Sequence, residues 1–329
     1  MREGILGAIG NTPLVRLTRV FEDLPFQLYA KLEALNPGGS MKDRPALKIL
    51  SEALASGQIP RDAVIIESSS GNMGIGLAQV CSVFGLRFIC VVDPKTTVQN
   101  LRLLAAYGAE VDRVTEPDPQ TGEFLQARLN RVRDLVASTR NAFWPNQYEN
   151  VNNARAHHET MREIVTALRG RVDAVLCATS TCGTLRGCAE YVREQGLPIR
   201  VVAVDAVGSV IFGGPPAKRL LPGHGAAVPP PLFQPGLADE VIHVSDLECI
   251  TACRRLARRE AILAGASSGA VIAAVDRARR TMPQGAVCVA ILADRGERYL
   301  DTVYSDEWVE SHFGEVSYER EQPAEACHA

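Results

Sequence analysis

Short apolar runs alternate with segments of helical periodicity along almost the whole chain. Ala63-Val64-Ile65-Ile66 is followed by a helical pattern running to Phe84. Arg87-Phe88-Ile89-Cys90-Val91-Val92 is followed by another from about Gln99 to Ala106. The rhythm returns as a run from Val172 to Ala178, a helix from about Thr184 to Gln195, and the runs Ile199 to Val204 and Val287 to Leu292. Unbroken apolar runs suit strands buried on both faces, the situation in a parallel sheet covered by helices. The pattern therefore predicts an α/β fold. A chain of 329 residues can form one large or two medium domains, and two lobes with a cleft between them is the expectation.

The stretch from Ser209 to Gln234 breaks the rhythm with Gly213-Gly214-Pro215-Pro216 and Pro229-Pro230-Pro231. It predicts a long ordered loop, which in a compact domain is a candidate substrate-site element. The polar stretch from Glu319 to Ala329 predicts a frayed end.

Charge narrows the choice of partner. Thirty-eight acidic and thirty-five basic residues give a net charge of -3, leaving no electrostatic footprint for nucleic acid or an anionic membrane. No apolar run approaches the roughly 20 residues of a membrane span, and the N-terminus lacks a basic-then-apolar layout. A cytoplasmic protein acting on small molecules is expected. Nine cysteines, an odd number without a Cys-x-x-Cys pair, predict scattered small hydrophobes rather than a disulfide framework. His157-His158 and the pair Cys249 and Cys253 lack further ligands at a usable spacing, so no metal is expected.

Candidate chemistry lies in four loops. In Asn36-Pro37-Gly38-Gly39-Ser40-Met41-Lys42-Asp43-Arg44-Pro45, a tight Pro-Gly-Gly turn lets the backbone approach a ligand. A lysine held there can lose its solvation, which frees its amine to act as base, nucleophile or imine partner of an aldehyde cofactor. A solvated helix start capped by Ser40 is the plainer alternative. Glu67-Ser68-Ser69-Ser70-Gly71-Asn72-Met73-Gly74 leads from a strand into an apolar helix, where hydroxyls and free N–H groups trap an anion or simply cap the helix. Ala178-Thr179-Ser180-Thr181-Cys182-Gly183-Thr184-Leu185 repeats the arrangement and suits a phosphate, though a capped turn reads equally well. Gly265-Ala266-Ser267-Ser268-Gly269-Ala270 is a third such start. In an open parallel sheet, ligands gather at the carboxyl ends of the strands. The Gly-x-Gly-x-x-Gly of a nicotinamide-dependent oxidoreductase is missing.

These loops, in this order, resemble the fold type II pyridoxal-phosphate enzymes of the cysteine synthase and cystathionine β-synthase family. The resemblance runs from Ile9-Gly10-Asn11-Thr12-Pro13-Leu14-Val15 to Gly296-Glu297-Arg298-Tyr299-Leu300. It implies a tryptophan synthase β-like fold with pyridoxal 5'-phosphate in the cleft between two parallel-sheet lobes, each with helices on both faces. Residues 1–40 with 147–318 would form the larger, cofactor-binding domain, and 41–146 a smaller mobile one. It implies that Lys42 forms the imine with the cofactor, that Asn72 bonds its phenolic oxygen, and that Ser180, Thr181, Cys182, Gly183 and Thr184 hold its phosphate. Ser267 would face the pyridine nitrogen. A hydroxyl there makes the ring a weaker electron sink, which suits β-elimination through an α-aminoacrylate. Ser69, Ser70, Gly71 and Gln147 match positions that hold the amino-acid carboxylate, and a homodimer is implied.

Two departures separate the chain from plain cysteine synthases, which usually carry a Gly-rich phosphate loop and a phenylalanine after the glutamine. Here stand Ser180-Thr181-Cys182 and Tyr148. Both add polarity, while the Asn36 to Ala46 loop, the Lys218-Arg219 loop and the stretch Tyr299 to Trp308 resemble a siderophore-associated subgroup that makes N-(2-amino-2-carboxyethyl)-L-glutamate, a precursor of L-2,3-diaminopropionate. That resemblance implies O-phospho-L-serine as donor and L-glutamate as nucleophile. The alternative is a cysteine synthase using O-acetylserine or O-phosphoserine with sulfide. Two polyanionic substrates call for cations, and Arg44, Arg186, Lys218 and Arg219 are the candidates.

Overall fold

The computed structural model describes residues 3–316; the expected frayed stretch from Glu319 lies outside them. Ten strands form two sheets. The larger contains β1 (Leu14–Leu17), β2 (Gln27–Leu32), β7 (Ala174–Ala178), β8 (Arg200–Ala206), β9 (Glu240–Val244) and β10 (Val287–Leu292), in the order β1-β2-β10-β7-β8-β9. The smaller contains β3 (Val64–Ser68), β4 (Arg87–Val92), β5 (Glu110–Arg113) and β6 (Ala142–Phe143), in the order β5-β4-β3-β6. All pairings are parallel except β1 with β2. The expected parallel sheets are present, and β1 adds one antiparallel edge strand to the larger; an edge strand can join by a simple return of the chain without a crossover helix.

The helices are α1 (Asp43–Ala55), α2 (Asn72–Phe84), α3 (Val98–Ala106), α4 (Phe124–Ser138), α5 (Val151–Ala167), α6 (Gly183–Glu194), α7 (Asp246–Glu260), α8 (Ala266–Ala278) and α9 (Asp306–Phe313). Strand residues alternate between the two faces, so each sheet is packed on both sides. On the larger sheet, Leu176, Val202, Val204 and Ala290 meet α7 and α8 through Ile250, Leu256, Val271 and Val275. Their neighbours Val175, Val201, Ala203 and Val289 meet α5 and α6 through Met161, Ile164, Leu185 and Val192. On the smaller sheet, Ile65, Phe88 and Cys90 pack on α1 and α2, and Val64, Ile66 and Val91 face Val132 of α4. Double coverage is why β3, β4, β7 and β10 read as unbroken apolar runs.

Between β8 and β9 the chain runs from 207 to 239 without helix or strand. It is nevertheless anchored. Ser209 Oγ accepts from the amide of Ala226 at 3.0 Å, and Ile211 and Leu232 pack against Cys182. The eight cysteines among the described residues are all buried and unpaired. No helix among these residues is long and apolar enough to cross a membrane.

Candidate active site

The lysine loop is built by close approach. Gly39 has φ +84°, and a Cβ at Gly38 would lie 2.5 Å from Asp43 Oδ1, so neither position tolerates a side chain. Asp43 Oδ2 accepts from the Gly38 amide at 2.5 Å, and the Met41 amide donates to Ala293 O at 2.8 Å. Ser40 and Asp294 form a bridge that lays the loop along the exit of β10. Lys42 is thereby the N-cap residue of α1, and Ser40 accepts from its amide rather than capping the helix itself.

The side chain of Lys42 enters a cavity lined by Asn72, the 180–184 turn and Ser267, with Cys177, Gly223, Ile291 and Ala293 completing the wall. All eight residues expected around the cofactor are therefore brought to one cavity. Part of the Lys42 surface stays open to this space, while protein surrounds the remainder. Desolvation lowers its ammonium to about 8, and the charge of Asp294 opposes the drop.

Asp294 is the carboxylate whose charge acts on Lys42. Burial pushes its carboxyl upward, opposed by hydrogen bonds from Asn72 and Tyr299 and by the charges of Arg298 and Lys42. Asn72 Nδ2 and Tyr299 OH each donate to Asp294 Oδ2 at 2.7 Å, and Arg298 donates to Asn72 Oδ1 and Gly38 O. The Asn72 amide is thus gripped at both ends, leaving one N–H for a ligand. A Cβ at Gly265 would lie 2.1 Å from Asp294 Oδ1, so that glycine permits the approach.

The 180–184 turn opens α6, with Cys182 in the left-handed region at φ 63°. Thr181 Oγ1 accepts from the Gly183 amide at 3.3 Å and from Asn153 Nδ2 at 3.3 Å. Thr184 Oγ1 lies 3.3 Å from His157 Nε2. Burial drives His157 well below its usual range, so it stays neutral beneath the turn. Free N–H groups at a helix start, surrounded by hydroxyls, form an anion cradle.

A Cβ at Gly183 would stand 2.4 Å from Asn153 Oδ1, itself held by the bond from Nδ2 to Gln147 O at 2.7 Å. Gly183→Ala is therefore expected to weaken pyridoxal-phosphate binding at least about tenfold, or ~1.4 kcal/mol. Absorbance titration of apoprotein checks this, and unchanged affinity would contradict it.

The remaining predicted residues divide. Ser69 Oγ accepts from the amides of Gly74 at 2.9 Å and Gly71 at 3.3 Å, so its oxygen caps α2. Ser70 and Gly71 are partly open in the same turn. Gln147 is buried, donating from Nε2 to Ser68 O at 3.2 Å, and Tyr148 follows it with a hydroxyl pushed upward by burial.

Arg44 is not a cleft cation. It meets Glu33 at 2.7 Å and 2.8 Å and Glu163 at 2.8 Å and 2.7 Å beneath α1. Arg186 points along α6 to Glu190 at 2.7 Å and does not line the cavity. Lys218 is exposed, and Arg219 donates to His224 O at 3.2 Å, bracing the turn that presents Gly223. The cation overlooked from sequence is Arg128. It is 8 % exposed, paired with Asp93 at 3.1 Å, and its charge reaches both Tyr148 and Glu67. Its signal was an arginine four residues before the buried Val132 on one face of α4.

Among the described residues no group of three or more His, Cys, Asp or Glu side chains is placed to hold a metal ion. The cavity fits pyridoxal phosphate by the chemistry of its donors. It offers an N–H and hydroxyl cradle for phosphate, the hydroxyl of Ser267 for a ring nitrogen, and an amine of lowered basicity for an aldehyde.

Comparison with known proteins agrees with this geometry. Residues 5–294 match the family model described as pyridoxal-phosphate dependent enzyme. The chain is 50% identical over 310 residues to N-(2-amino-2-carboxyethyl)-L-glutamate synthase of Ralstonia nicotianae, covering 93% of this chain and 91% of that one. A protein of the same description from Cupriavidus metallidurans is 47% identical over 309 residues, covering 93% and 90%. Among solved structures, O-ureido-L-serine synthase superposes with a TM-score of 0.86 at 31% identity, covering 96% of this chain and 98% of that one. The O-acetylserine dependent cystathionine beta-synthase of Helicobacter pylori gives 0.86 at 32% identity, covering 93% and 99%. With the lysine, its cradle and a family match spanning most of the sequence, the chain belongs to the pyridoxal-phosphate dependent enzymes.

Proposed function

We propose that this enzyme joins O-phospho-L-serine to L-glutamate, giving N-(2-amino-2-carboxyethyl)-L-glutamate and phosphate by β-replacement. The product is a precursor of L-2,3-diaminopropionate in siderophore synthesis. Bound pyridoxal phosphate supplies the electron sink that lets a proton leave Cα of the donor. Lys42 Nζ is the base that takes this proton, its basicity matched to the task by desolvation. The start of α6, with Ser180, Thr181 and Thr184, holds the cofactor phosphate, and Asn72 and Ser267 orient the ring. Ser69 to Gly71 and Gln147 hold the donor carboxylate. Lys42, returned to the ammonium by the first step, can give its proton to the departing phosphate.

The likeness to two N-(2-amino-2-carboxyethyl)-L-glutamate synthases carries this reading; Arg128, which is paired with Asp93 and lies outside the lining of the Lys42 cavity, is the candidate cation for the acceptor. A nearly buried guanidinium beside Tyr148 is suited to a carboxylate-bearing nucleophile. Sulfide, small and without a carboxylate, has no use for it. The names of the relatives at 50% and 47% identity support the same assignment. We assign residues 41–146 to a smaller domain that closes over the substrates, since that span contains every strand of the second sheet. The family resemblance supports a homodimer, and the buried, unpaired cysteines suit a reducing cytoplasm.

Arg128→Lys is expected to raise the KM for L-glutamate at least about tenfold, while the KM for O-phospho-L-serine stays within about twofold. An unchanged glutamate KM would remove Arg128 from the acceptor site. Product mass tests the function itself: a new C–N bond formed from L-glutamate, with one phosphate released per product, is expected. A product formed with sulfide alone would make the enzyme a cysteine synthase.

A further inference from the structure

Glu67 lies near the end of β3, two residues before Ser69, and has no exposed surface. Its strand neighbours are Val64, Ile65 and Ile66, so a charged side chain here contradicts the apolar surroundings. A buried carboxylate is costly unless donors satisfy it. Three N–H groups converge on this one. Oε1 accepts from the Ser68 amide at 2.8 Å and Trp144 Nε1 at 3.2 Å, and Oε2 accepts from the Gln147 amide at 3.1 Å.

Two of these donors come from the loop after β6. Gln147 answers by donating Nε2 to Ser68 O at 3.2 Å, so the end of β3 and the loop after β6 are fastened to each other in both directions. The fastening continues: Asn153 Nδ2 donates to Gln147 O at 2.7 Å and to Thr181 Oγ1 at 3.3 Å. One path of hydrogen bonds therefore links Glu67 to the turn that cradles phosphate.

We propose that Glu67 is a positioning residue which sets Gln147 against the Ser69 to Gly71 turn, so that the two together grip the carboxylate of the amino-acid donor. This rests on the reading of Gln147 as a carboxylate-binding residue. Glu67 itself is too deeply enclosed to touch substrate. Three convergent donors suit a carboxyl group, both of whose oxygens accept, and not a carboxamide, one end of which only donates. Burial pushes the Glu67 carboxyl up to about 7, opposed by the bonds from Trp144, Ser68 and Gln147 and by the Arg128 charge.

Glu67→Gln, studied as the loaded enzyme, turns one acceptor into a donor facing a donor. The expected result is a KM for O-phospho-L-serine raised about tenfold, with kcat and cofactor retention within about twofold. Gln147→Ala, measured in parallel, is expected to raise the same KM. A raised KM in Gln147→Ala with an unchanged one in Glu67→Gln would overturn the role of Glu67 alone. An unchanged KM in Gln147→Ala would overturn the reading of Gln147 and this inference with it. Reduced thermal stability with unchanged KM would make Glu67 merely structural. Should Glu67→Gln not fold, Glu67→Asp decides the matter by the same separation of KM from kcat. A raised KM supports the role, and an unchanged one ends it.

Discussion

Lys42→Ala is expected to lower kcat by about 10³- to 10⁴-fold, the scale on which a positioned base contributes, while pyridoxal phosphate still binds. The separation follows from the geometry. Lys42 lines the cavity, whereas the turn at the start of α6 and the Asn72 amide are held in place by other residues. Lys42→Arg should fail equally, because a guanidinium stays protonated and cannot supply a free amine. That pair of variants separates the chemistry of an amine from the presence of a charge.

The pH dependence has a definite sign. Desolvation holds the Lys42 ammonium at about 8 rather than 10.5, so the free amine accumulates as pH rises. Covalent capture of the cofactor by apoprotein should quicken about tenfold per pH unit below 8 and level off above it. Capture that ignores pH between 6 and 8, or a Lys42→Ala enzyme retaining a tenth of its activity, would contradict the assignment.

Arg44→Ala is expected to destabilise the protein by roughly 3–5 kcal/mol, the cost of breaking a buried ion pair from one side. Arg44 and Glu33 are 4% and 0% exposed at their side chains, and Glu163 is 8% exposed. Lys31 joins them at 2.6 Å from Glu163, and Thr12 donates to Glu33 at 2.7 Å. Two cations and two anions thus bind the N-terminal segment, β2, α1 and α5 together, with Arg44 two residues beyond Lys42. Removing Arg44 leaves two enclosed carboxylates that Lys31 alone cannot neutralise.

Burial raises the Glu163 carboxyl, but its bonds and charge interactions with Arg44 and Lys31 outweigh this and hold it at about 2. Its contribution is therefore complete above about 4.5 and lost as pH falls toward 2. Urea unfolding at neutral pH measures the effect; a loss below 1 kcal/mol would show that the cluster relaxes or admits water.

Helices and buried strands were legible where burial imposes a strong pattern. β3, β4, β7, β8 and β10 fall within two residues of their apolar runs, because both of their faces are covered. β6 has two residues and β5 is largely exposed, so neither offers a periodicity to read. The loops around the cavity were legible as a set: each cluster of Ser, Thr, Gly and Asn between a strand and a helix also reads as a cap, but three of them in order with the lysine resemble one family.

Charged side chains were the least legible, since their meaning depends on partners distant in sequence. Arg44 meets Glu163, which is 119 residues away, and sits behind the cavity instead of in it. Arg186 is drawn one turn along its own helix to Glu190. Glu67, Arg128 and Asn153 were given no role from sequence, and His157 was weighed only as a metal ligand, because the partners that enclose each of them are distant in sequence. A polar residue so enclosed must find a buried partner.

Attack by L-glutamate after O-phospho-L-serine has lost phosphate is an order of events that the cofactor's absorbance can follow. The most direct measurement is a stopped absorbance experiment in which loaded enzyme receives O-phospho-L-serine and is then divided between L-glutamate and sulfide. A shifted cofactor band is expected with the donor, and its return to the starting spectrum with L-glutamate but not with sulfide. Return with sulfide alone would contradict it.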